Sequence, residues 1–108
     1  DQKIKNINVR FQKVKDLPPK ELRKLVDNGK KELGDGIVAV FASNEGKVGL
    51  AVGITKNLIK KYDAVKFVKV GSETIGGKGG GGRKDFAQSG GIFENKIDEA
   101  FSKLKNLI

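Results

Sequence analysis

The sequence predicts an α+β domain spanning residues 1–108. The expected architecture is a two-layer sandwich in the order β-α-β-β-α-loop-β-α, with helices packed on a small mixed sheet. Three observations lead there. Residues 36–43 form an unbroken apolar run followed by a turn and a second strand pattern, which reads as a hairpin. Helical apolar spacings lie on both sides of that hairpin. A glycine-rich stretch near the end of the chain leaves room for only one short strand and one helix.

Ile7, Val9 and Phe11 alternate with Asn8, Arg10 and Gln12, the period-two pattern of a half-buried strand. Lys3, Lys5, Lys13 and Lys15 flank it, as suits a sheet edge guarded against pairing with another chain. Asp16-Leu17-Pro18-Pro19 then opens a helix, because proline is tolerated where the first-turn N–H groups have no partner anyway. Leu22, Leu25, Val26 and Leu33 share one face of that helix, and Gly34 fits its C-terminal cap. Lys20, Arg23, Lys24, Lys30 and Lys31 cover the remainder, either as a solvated face or as a secondary phosphate-contacting patch.

The run 36–43 reads Gly-Ile-Val-Ala-Val-Phe-Ala-Ser, typical of a central strand covered on both faces. On the return strand Val48, Leu50, Val52 and Ile54 share one face, while Gly49, Ala51 and Gly53 share the other. The small face lets a helix come close. Residues 55–62 form a polar connection. From Asp63 the composition suits a strand or a helix equally. A helix capped by Asp63, with Ala64, Phe67, Val68, Gly71 and Ile75 inward, delivers the chain directly into the glycine stretch. Phe86-Ala87-Gln88-Ser89 suffices for a brief strand. A last helix starts near Glu94 with Ile97, Phe101, Leu104 and Ile108 on one face. Its acids gather toward the start and its lysines toward the end, complementing the helix dipole.

Composition narrows the chemistry. The chain carries 22 Lys plus Arg against 13 Asp plus Glu, a net charge of +9, which argues for a polyanionic partner, with nucleic acid ahead of a membrane surface. A solvated basic surface is the plain alternative. There is no cysteine, which excludes disulfides and thiolate chemistry, and no histidine, the commonest general base and metal ligand. No apolar run approaches a membrane span and no signal peptide is visible, so a cytoplasmic location is expected. Methionine is absent even at position 1, as expected of a piece cut from a longer protein.

The stretch 76–91 holds eight of the fifteen glycines, six of them in the seven positions 76–82. Glycine loses more backbone entropy on folding than any other residue, so such a density needs a return. The usual return is positive φ or close approach of backbone N–H groups to an anion. Lys78, Arg83 and Lys84 add cationic donors suited to phosphate. A flexible linker would have the same composition, but too little chain follows to form another domain.

Residues 77–82 satisfy G-x-G-x-x-G only because a glycine run satisfies any glycine spacing, and the dinucleotide fingerprint also needs a preceding strand, a following helix and an acid about twenty residues on. The P-loop pattern fails too, with Ser72 where glycine is required and Gly79 where Ser or Thr is required. Ser and Thr side chains have no histidine to activate them, and the carboxylates form no tight cluster suited to a metal. With one tyrosine and no tryptophan, platforms for single-stranded RNA are scarce, which points toward folded nucleic acid read by backbone and shape.

The motif Gly-Gly-Lys, further glycines, Arg83, Asp85, then Phe-Ala-Gln-Ser-Gly-Gly resembles the C-terminal domain of alanyl-tRNA synthetases, the module also appended to DHH-type phosphodiesterases. The likeness extends through Lys-Lys-Glu-Leu-Gly and both hairpin strands, covering essentially the whole chain. Lys84 stands where the synthetases usually have proline, and the glycine run is one residue longer than typical. The resemblance implies a non-catalytic module that engages the outer corner of tRNA, here alanine tRNA, and couples the aminoacylation and editing domains of its own chain. It implies no cofactor in this domain, with ATP, magnesium and zinc used elsewhere in the parent enzyme, and a homodimer in some members. By position, Gly77, Lys78, Gly79, Gly80, Gly81, Gly82, Arg83, Lys84, Asp85 and Gln88 fall in or beside the matching motif as the RNA-binding set. Within it Asp85 and Gln88 are expected to shape the loop. Two other readings are a substrate-binding module detached from a DHH-type phosphodiesterase and a dimerisation module. The first is disfavoured by the missing loop histidine. The second predicts self-association indifferent to loop mutations.

Overall fold

A computed structural model describes residues 2–108. Its strands and helices run β1 (Gln2–Ile4), β2 (Ile7–Lys15), α1 (Pro19–Leu33), β3 (Gly36–Asn44), β4 (Lys47–Ile54), α2 (Ala64–Thr74), β5 (Gly81–Gly82), β6 (Phe86–Gly91) and α3 (Ile97–Lys105). The strands form one mixed sheet in the order β1-β2-β3-β4-β6-β5, in which only β2 and β3 pair in parallel. That parallel pair is bridged by α1, as a crossover requires.

The α+β class and the mixed sheet match the expectation from sequence, and so does the element order apart from the added short strands β1 and β5. The layer count does not: helices cover both faces, so there are three layers. The cause lies in β3, where successive side chains alternate between two cores. Ile37, Ala39 and Phe41 face α2 and α3 with Phe67, Val68, Ile97, Ala100 and Leu104. Val38, Val40 and Ala42 face α1 with Leu22 and Val26. The small face of β4 turns to α1 as well, and Gly53 lies so close to Val26 that a Cβ there would overlap its side chain.

Local signals explain the boundaries. The β3–β4 hairpin turns through Glu45 and Gly46, both at positive φ, which matches the twist of a two-residue connection. Gly34 ends α1 at φ +77, its N–H donating to Lys30 O. The helical choice after Asp63 holds: Asp63 caps α2 by accepting from the Val65 N–H at 2.9 Å. Strand β2 is a sheet edge only in part, because β1 pairs with Ile7, Asn8 and Val9. Strand β6 extends two residues beyond the brief strand expected, and β5 had no counterpart in the sequence reading. Among the described residues no helix is long and apolar enough to cross a membrane.

Candidate nucleic-acid interface

Leaving α2, the chain doubles back along it, so the glycine stretch runs from one end of the helix to the other. At the C-terminal end Ser72, fully buried, organises the loop. Its backbone carbonyl accepts the Gly77 N–H at 2.7 Å, and its Oγ accepts the Gly79 N–H at 3.0 Å while donating to Gly90 O at 2.7 Å. Gly81 and Gly82 then pair with Gln88 and Ala87 as the edge of the sheet. A Cβ on Gly77 would overlap Gly90 O and Ser72 Oγ, and one on Gly80 would overlap the β6 backbone. Gly77, Gly80 and Gly82 are thus demanded by packing against β6, while Gly76 and Gly79 stand at positive φ. Gly81 differs, because a Cβ there meets nothing within 4 Å and its φ is not positive.

The charged triplet closes the β5–β6 hairpin, with the Arg83 N–H donating to Phe86 O at 2.7 Å. Two of its three carbonyls point inward. Lys84 O accepts the Ala64 N–H at 2.9 Å, and Asp85 O accepts the Ile54 N–H at 2.9 Å and Lys30 Nζ at 3.4 Å. Arg83 and Lys84 therefore sit at the start of α2 with their backbone pinned and their side chains exposed. Arg83 meets Asp85 across 3.3 Å, an exposed ion pair weak enough to exchange for a phosphate.

The residues singled out by sequence thus fall into three places. Gly77, Lys78 and Gly79 lie at the end of α2. Arg83, Lys84 and Asp85 lie at its beginning. Gln88 is exposed on the opposite, α1 face of the sheet with Phe86, whose ring lies 4.4 Å beneath the Arg23 guanidinium. Gln88 lines a groove of about 610 Å³ with Leu17, Leu22 and Gly49, where Lys47 is offset by Glu45, so that groove offers no excess charge to a polyanion. Gly77 and Gly79 N–H groups, expected to approach RNA, donate internally. What the loop presents outward is side-chain charge.

Sequence reasoning overlooked two features of this edge. Ile92 and Phe93 are exposed, at 57% and 45%, beside Gly76, and both their N–H groups donate to Ile75 O at 2.8 Å. Phe93 precedes the expected start of the last helix at Glu94, which was the available signal. From sequence, Lys61 reads only as part of a polar connection and Lys5 only as a guard of the sheet edge. Among the described residues no group of three or more acidic, His or Cys side chains could hold a metal.

Residues 6–108 match the DHHA1 domain family. The chain is 44% identical over 105 residues to the alanine–tRNA ligase of Parvibaculum lavamentivorans, covering 96% of this chain and 12% of that protein. It is 41% identical over 102 residues to the alanine–tRNA ligase of Hyphomonas neptunium, covering 94% and 12%. It spans about an eighth of the length of these curated relatives. Its fold superposes with a TM-score of 0.92 on the C-Ala domain of Aquifex aeolicus alanyl-tRNA synthetase, at 26% identity, covering 98% of this chain and 95% of that one.

Proposed function

The chain belongs to the DHHA1 domain family, and from that premise we propose that it is the C-terminal tRNA-binding domain of an alanyl-tRNA synthetase. It engages the outer corner of alanine tRNA and couples aminoacylation with editing in its parent chain, in the cytoplasm. The domain catalyses nothing alone and holds no cofactor; ATP, magnesium and zinc serve the rest of the ligase. The observation that carries this reading is a rigid edge with outward charge. Lys78, Arg83 and Lys84 are exposed on a backbone held by internal bonds of the Gly77, Gly79 and Arg83 N–H groups and the Lys84 carbonyl, so binding phosphate costs little reorganisation.

The test is tRNA affinity across a salt series, comparing the native chain with Lys78→Ala, Arg83→Ala. Each lost phosphate contact lowers the log–log slope by about 0.9, so the variant's slope is shallower by about two. A variant that binds with the native slope excludes the loop as the RNA contact. The exposed Ile92–Phe93 pair favours a second reading, self-association through that edge. Sedimentation of native chain against Phe93→Ser decides it: a shared monomeric mass rules the dimer out.

A further inference from the structure

The nine excess positive charges are unevenly compensated. On α1, Arg23 pairs with Asp27 and Lys24 with Glu21, and on and before α3, Lys103 and Lys96 both pair with Glu99. Lys20, Lys30 and Lys31 of α1 form no ion pair among the described residues either, but at the start of α2 unpaired lysines share one cleft. Lys5, Lys61 and Lys66 line one cleft of about 330 Å³ with Tyr62, Asp63 and Phe67. The Lys84 carbonyl, bonded to the Ala64 N–H, anchors a fourth exposed lysine at the start of α2, next to the segment that lines this cleft. All four lysines are exposed, and none of them forms an ion pair among the described residues. Asp63, the one acidic side chain lining the cleft, is committed to capping the Val65 N–H.

These lysines come from three separate segments: the β1–β2 turn, the stretch leading into α2 together with its first turns, and the β5–β6 hairpin. Like charges brought together from distant segments repel in the free protein, and an anion relieves that repulsion. Of the two rings lining the cleft Phe67 is fully buried, while Tyr62 keeps 8% of its surface exposed and Lys61 Nζ lies 5.6 Å from its centre, a path for the lysine stem.

We propose that Lys5, Lys61, Lys66 and Lys84 form a cleft for the phosphodiester backbone of folded RNA, at the opposite end of α2 from Lys78. It rests on the RNA-binding reading above and adds to it a second contact. The backbone then follows the length of the helix, with Lys78 at one end and this cleft at the other. Lysine, a point charge on a flexible stem, suits phosphate contacts that fix position without reading sequence.

The experiment is a salt series with a tRNA transcript on four forms of the chain. They are native, Lys61→Ala/Lys66→Ala/Lys84→Ala, the same three positions changed to Arg, and a charge-matched control, Lys20→Ala/Lys24→Ala/Lys31→Ala on α1. The expected result is a slope shallower by about 2.7 in the cleft variant, from about 0.9 per contact. The Arg variant and the α1 control keep nearly the native slope. Equal loss in the cleft variant and the α1 control would overturn the cleft while leaving RNA binding intact, since only net charge would matter. A native chain showing no salt-dependent tRNA binding would overturn the RNA-binding reading itself, and the cleft with it.

Discussion

Replacing Gly77 by alanine should unfold the chain at a markedly lower temperature, whereas the same change at Gly81 should not. At Gly77 the new methyl would stand 2.9 Å from the Gly90 carbonyl carbon and closer still to its oxygen and to Ser72 Oγ. Relieving that overlap costs about 1–3 kcal/mol as overpacking. It also strains two hydrogen bonds, Gly77 N–H to Ser72 O and Ser72 Oγ–H to Gly90 O, both 2.7 Å, at about 0.5–1.5 kcal/mol each. The sum is about 2–6 kcal/mol, a fall in Tm of at least ~8 °C for a domain of this size. At Gly81 the methyl meets open space and the backbone is unstrained, so stability stays within about 0.5 kcal/mol of native. Thermal melts followed by circular dichroism read both. A Gly77→Ala chain melting within about 4 °C of native, under about 1 kcal/mol, would refute the claim that packing on β6 dictates this glycine. Gly81, with no packing reason for its identity, is the glycine at which a methyl should weaken tRNA binding in a fully folded chain.

Other perturbations test the supports of this edge. Ser72→Ala removes the acceptor for the Gly79 N–H and the donor to Gly90 O. It should cost about 1–3 kcal/mol in a urea titration with m unchanged. Asp63→Ala removes the α2 cap and should cost about 0.5–2 kcal/mol by the same measurement, with Asp63→Asn losing less. Leu104→Ala, in the core between α3 and the sheet, should cost about 2–5 kcal/mol and serves as the scale for a pure packing loss.

Much of the frame was legible because it follows from local periodicity. The alternation in β2, the apolar spacing of α1 and the Asp63 cap each specify an element within a few residues. The doubly apolar β3 even carried the third layer, since a strand apolar on both faces needs a helix on each side; the layer count missed what that run implied. The segment after Asp63 had strand composition, yet Ala64, Phe67, Val68 and Gly71 recur at helical spacing and all are buried against the sheet. Strands β1 and β5 were not legible, because a three-residue and a two-residue strand exist only through their partners. The loop's internal hydrogen bonding was hidden for the same reason: no residue near Ser72 announces that Gly90, eighteen positions on, completes its contacts. The gathering of lysines around α2 depends on the chain doubling back, a tertiary fact that no window of sequence contains.

The central claim is that RNA lies along the edge defined by α2 and the glycine stretch. Amide NMR of the chain titrated with a tRNA transcript tests it most directly, since the glycine N–H groups resonate in a well-separated region. The account predicts shifts at Lys78, at 81–84 and at 61–66, with α1 unchanged. Shifts confined to α1 and its lysines, with the glycine amides unmoved at saturation, would contradict it.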